Sequence, residues 1–117
     1  MQKITLEISV FVFRDEESKQ YMAYCPSLDL IGYADTEQGA KDDFEYVLND
    51  YLKYCTEEGT LEQDLVAHGW SVVADTTQEP DFKSMLDNND TLTSIIASRT
   101  DYRRTHISRT INRRAYA

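Results

Sequence analysis

The sequence predicts an α+β domain in which an antiparallel β-sheet is packed by one main amphipathic helix. Three observations carry that expectation. Residues 3–13 alternate Ile4, Leu6, Ile8, Val10 and Val12 with Thr5, Glu7, Ser9, Phe11 and Phe13, which is the two-residue period of a strand. Residues 20–34 supply a second strand, a loop containing Pro26 and a third strand. Beyond them, Ala40, Phe44, Val47, Leu48, Tyr51 and Cys55 recur at three- and four-residue steps, while Lys41, Asp42, Asp43, Glu45, Asn49, Asp50 and Lys53 fill the opposite side, as in a helix with one wet face.

In chain order, the polar pentapeptide at 15–19 is long enough for a hairpin turn and too hydrophilic to bury, so the chain opens as a β-hairpin. Asp35 with Gln38 three positions later forms a capping box, so the main helix is expected to start at Asp35. Gly59 fits the left-handed residue that closes it, and Thr60 caps a shorter helix through His68, ended by Gly69. Trp70, Val72 and Val73 read as a further short strand, and the polar run 75–80 as a turn or linker. Asp81 begins a helical pattern with Phe82, Met85 and Leu86 that closes at Asn88 and Asn89, and Leu92, Ile95 and Ile96 suggest another apolar turn. Residues 102–111 read either as an edge strand anchored by Ile107 and Ile111 or as an arm ordered only by a partner. The expected division is a core at 1–75 and a C-terminal extension with an Arg-rich tail at 76–117.

Size and composition narrow the function. With 117 residues, 41% of them apolar, the chain fills one hydrophobic core, and a second independent domain would be cramped. The apolar N-terminus is interrupted by polar residues and Glu7, unlike a secretory leader, and no stretch has the length of a bilayer span, so a cytoplasmic protein is expected. Cys25 and Cys55 stand outside any CxxC or Cys/His cluster and read as small core residues. His68 and His106 lack ligand-spaced partners, and no metal or cofactor is expected.

The net charge of −9 is unevenly placed: residues 1–98 carry −14, and residues 99–117, with six arginines and Asp101, carry +5. An acidic body repels nucleic acid and favours a basic protein partner. The arginine tail has several candidate counterparts, namely phosphate, an acidic partner, a second subunit or this chain's own body. DNA contact would fall to Arg103, Arg104, Arg109, Arg113 and Arg114, although no groove-reading helix accompanies them. Tyr21, Tyr24 and Tyr33 are of the type that stacks on bases, but in strands they more often pack a sheet edge or interface.

The run Ala23-Tyr24-Cys25-Pro26, followed by a short loop, a third strand and the Asp35-Thr36 helix start, resembles the core of the HicB-type antitoxin family over roughly residues 4–56. The resemblance implies a β-β-β-α-β partial RNase H-like fold. It also implies a homo-oligomer, dimer or higher, that neutralises a small basic HicA-type RNA-cleaving toxin. Residues 80–117 match neither the ribbon-helix-helix nor the helix-turn-helix that family members commonly append, because the basic strand-like segment comes last.

An RNase H-like scaffold raises the question of two-metal hydrolysis, which needs carboxylates converging from strands. Asp29 lies in a loop, Asp35 is accounted for as a helix cap, and Asp42 and Asp43 sit on the wet helix face, so no catalytic constellation is expected. No nucleophile triad or Gly-rich phosphate loop is present either. The expected activity is stoichiometric masking, with Asp29, Asp35, Glu37, Asp42, Asp43 and Asp50 as the acids that meet the toxin. A DNA-binding regulator and an oligomeric module of the same fold without a toxin are the alternatives.

Overall fold

A computed structural model describes residues 2–97 and 101–113 of the chain. The fold is α+β, with a mixed six-stranded sheet and helices on both of its faces. In chain order the elements are β1 (Gln2–Arg14), β2 (Tyr21–Cys25), β3 (Leu30–Ala34), α1 (Glu37–Glu58) and α2 (Leu61–Ala67), then β4 (Ser71–Val73), β5 (Thr76–Gln78), α3 (Phe82–Asn88), α4 (Asp90–Ala97) and β6 (Tyr102–Arg113).

β1 is the organising strand. β6 pairs antiparallel with it along its length, from Gln2↔Arg113 to Phe13↔Tyr102. β2 takes the other side at residues 11–14, with Phe11 opposite Tyr24, and β3 extends the sheet beyond β2. The β4–β5 hairpin joins that same side lower down, where Thr5 pairs in parallel with Thr76. That parallel pair corrects the expectation of a purely antiparallel sheet. The polar run at 75–80 is likewise no linker: Thr76–Gln78 is a strand, fixed by Thr77 Oγ1 donating to the Thr5 carbonyl at 2.7 Å.

The two faces of β1 bury different layers. Leu6, Ile8, Val10 and Val12 pack with Ala23, Cys25, Leu28 and the α1 residues Ala40, Phe44, Leu48 and Leu52. Phe11 and Tyr24, on the opposite face, pack under Met85, Leu92 and Ile95 of the α3–α4 pair. The alternation of β1 was legible, but the burial of Phe11 was not, since its covering helices lie more than seventy residues away.

Helix α1 starts one residue later than the capping box implies. Thr36 is extended and its hydroxyl accepts from the Gly39 N–H at 2.9 Å, while Asp35 is exposed before the helix and Gln38 Nε2 donates to Asp42 Oδ1. Gly59 ends it at φ 69°, as the sequence indicates. α1 lies so close to β3 that a Cβ on Gly32 would stand 2.3 Å from the backbone nitrogen of Phe44. Contact of this kind has no flexible end to yield.

Gly32→Ala is therefore expected to lower stability by about 3 kcal/mol, read as a fall in the urea midpoint. Gly39→Ala, where a Cβ meets only the side chains of Ala34 and Thr36, serves as the milder comparison.

Candidate partner-binding cleft

On the side of β1 away from β6, no described strand lies between the β2 pairing and the β5 pairing, and this gap falls at Ser9. Ser9 is fully buried, so its backbone N–H requires an acceptor. Glu79, just after β5, provides it: Oε2 accepts from the Ser9 N–H at 3.0 Å, and Oε1 accepts from Ser9 Oγ at 2.7 Å. The buried Ser27 hydroxyl donates to the same carboxylate. Behind them Arg104 Nη2 donates to Ser9 Oγ at 3.0 Å, its guanidinium lying 5.6 Å from the Phe11 ring centre and 5.3 Å from that of Phe82.

Pro26 to Asp29 form a loop held from two sides. Trp70 Nε1 donates to the Ser27 carbonyl at 2.9 Å, which ties the loop to the segment after α2. Asp29 sits at φ 56°, and its Oδ1 accepts from the Tyr24 hydroxyl at 3.3 Å. Asn89 Nδ2 in turn donates to the Tyr24 oxygen at 2.8 Å, linking the loop to the α3–α4 turn. Burial raises the Tyr24 phenol above its ordinary value, so it remains a neutral donor to Asp29.

These contacts enclose a cleft of about 880 Å³ between the Pro26 loop, the end of α2 and the α3–α4 turn. Asp29, Glu79, Asp81 and Asp90 line it together with His68, and among the described residues no lysine or arginine does. Asp81 caps α3 by accepting from the Ser84 N–H at 2.8 Å, and that bond holds its carboxyl below the usual range. The cleft is thus electronegative, with hydroxyl and amide groups along its walls.

Of the acids singled out from the sequence, Asp29 alone lines this cleft. Asp35, Glu37, Asp42, Asp43 and Asp50 lie at the start of α1 or along it, across the sheet from α3 and α4. Several are engaged there: Asp43 accepts from the Tyr33 N–H, Asp42 from Gln38, and Glu37 pairs with Lys41 and Arg103. The tail arginines turn to the same body, since Arg109 pairs with Glu45 and Arg103 with Glu37. Arg113 ends β6, and Arg114 lies outside the described residues. Sequence reading missed Glu79, Asp81 and Asp90 as cleft residues. A serine among aliphatics at position 9 was the available hint, because a buried hydroxyl demands a partner.

Among the described residues no group of three or more His, Cys, Asp or Glu side chains is placed to hold a metal ion, and no helix is long and apolar enough to cross a membrane. Cys25 and Cys55 are both free and buried. No family model, curated protein or solved structure matches this chain.

Replacing Glu79 with alanine strands buried donors of Ser9 and Ser27, and a stability loss of about 3 kcal/mol is expected in chemical denaturation, with Glu79→Gln losing less because one acceptor oxygen survives. Burial pushes the Cys25 thiol up to about 12. The folded state therefore keeps the proton that the unfolded chain releases near its ordinary value of 9.0, and stability falls as pH rises from there toward 12. Thiol-specific alkylation at mildly alkaline pH should spare Cys25 until the protein unfolds.

Proposed function

We propose that this protein is a HicB-like antitoxin that binds a small basic HicA-type RNA-cleaving toxin and masks the toxin's surface, without making or breaking bonds itself. The observation that carries the reading is the cleft lined by Asp29, Glu79, Asp81 and Asp90, with no lysine or arginine among the described residues of its lining. A protein that grips RNA presents lysines and arginines to phosphates, and carboxylates in a concave surface compete for those same groups. Opposite charge also speeds the encounter, which gives the complex a strong dependence on salt.

The local order of elements supports the same reading. β1, β2, the Pro26 loop, β3 and the Thr36-capped α1 follow one another as in the resemblance over residues 4–56. After α1 and α2 the chain returns to the sheet as the β4–β5 hairpin, and the parallel contact of β5 with β1 is in keeping with a strand that follows the helix. The DNA-binding alternative finds less support, because Arg103 and Arg109 are paired with carboxylates of α1 and Arg104 is packed on aromatic rings.

Co-expression with a small basic protein, where one is encoded beside this chain, tests the reading through growth rescue and co-purification at low salt. Charge reversal at Asp81→Lys together with Asp90→Lys is expected to weaken the complex about tenfold or more and to abolish rescue. Reversal at Asp42 and Asp50 of α1 is the comparison. A larger loss there would place the docking face on α1, and the absence of any complex at low salt would sink the antitoxin reading.

A further inference from the structure

The free edges of the sheet differ. At β3 the outward N–H of Tyr33 is capped by Asp43 of α1 at 3.0 Å. β4 is three residues long. β6 runs for twelve, and among the described residues no strand lies on its outer side.

Which of its groups face outward follows from β1. The Thr5 carbonyl and the Ser9 N–H are directed to Thr77 and Glu79, so odd-numbered residues of β1 turn their backbone groups away from β6. The even-numbered residues exchange bonds with β6 at pairs such as Ile8↔Ile107 and Leu6↔Arg109. Consistent with this, Thr5 and Thr110 form a close pair through their side chains, Oγ1 to Oγ1 at 3.1 Å. Tyr102, Arg104, His106, Ser108, Thr110 and Asn112 therefore direct N–H and C=O to the open side.

Long edges in native sheets are commonly guarded by charged side chains. Here Arg103 and Arg109 fold back onto Glu37 and Glu45, and Arg104 lies over Phe11 and Phe82. These three guanidinium groups are occupied within their own subunit, and no described strand covers the backbone edge. We propose that β6 pairs antiparallel with β6 of a second copy of this chain, about a twofold axis at Ile107, joining the two sheets into one.

The register about Ile107, which spans residues 102–112, is self-complementary. It sets His106 opposite Ser108, Arg104 opposite Thr110, Arg109 opposite Thr105 and Ile107 opposite its own counterpart. The slide that sets His106 against itself shortens the ladder and opposes Arg103 to Arg109, and the slide that sets Ser108 against itself keeps the length but opposes Arg103 to Arg113, so each brings like charges together. A closed twofold contact uses each β6 edge completely and leaves none for further addition. This inference stands apart from the toxin reading, and either survives failure of the other.

Sedimentation of the full chain across a concentration series is expected to show a monomer–dimer equilibrium. Ser108→Pro removes an outward N–H without touching the ladder to β1, and should raise the dimer dissociation constant about tenfold or more. Under mild oxidation Ile107→Cys should give a covalent dimer, since residues opposed at a non-hydrogen-bonded position bring their Cα atoms about 4.5 Å apart. Thr105→Cys should stay unlinked, its counterpart lying roughly 13 Å along the strand. A monomer at every concentration, or a dimer as tight in Ser108→Pro as in the parent, overturns the proposal. If Ser108→Pro does not fold, the cysteine variants decide: no cross-link at Ile107→Cys, or equal cross-linking at Thr105→Cys, overturns it.

Discussion

The buried N–H of Ser9 governs much of this architecture. β2 and the β4–β5 hairpin share one side of β1 without meeting, and the backbone between them needs an acceptor that no strand supplies. Glu79 fills that place and gains hydroxyl donors from Ser9 and Ser27, which offset the cost of withdrawing a carboxylate from water. Fixing Glu79 fixes Pro80 and Asp81 after it, and with Asp81 the start of α3. The mouth of the cleft is thus set by a repair to the interior of the sheet.

Charge is partitioned by the same framework. β6 brings basic side chains beside the acidic α1, where Arg103 and Arg109 find Glu37 and Glu45. Such pairs are partly exposed and contribute little to stability one by one. Their larger effect is on the surface potential, because Arg103 and Arg109 are directed to α1, while Arg104, which donates to Ser9 behind Glu79, is not part of the cleft lining. Asp29, Asp81 and Asp90 face solvent there, with no lysine or arginine among the described residues of the lining. The net charge of −9 therefore understates how negative that concavity is.

Local features of the chain were legible in the sequence because their causes are local. Alternation gave β1, apolar periodicity gave α1, and Gly59 and Asp81 marked a helix end and a helix start. Thr36 took the cap expected of Asp35 because its hydroxyl reaches Gly39 from an extended backbone. What stayed hidden depends on long-range meeting. A short polar stretch became β5 only because β1 had an open side. For the same reason Asp29 was identified without its cleft companions: they lie fifty and more residues away, and no spacing rule connects them.

The ladder between β1 and β6 joins residues as far apart in sequence as Thr5 and Thr110. During translation at about 5–20 residues per second, β1 waits roughly five to twenty seconds for its antiparallel neighbour to be synthesised. Through that interval a strand with aliphatic side chains and unsatisfied amides lies bare beside the ribosome, the state most open to misassembly with other nascent chains. Completion of the sheet therefore waits for the synthesis of β6, and a truncated product lacking β6 would carry β1 as an exposed edge.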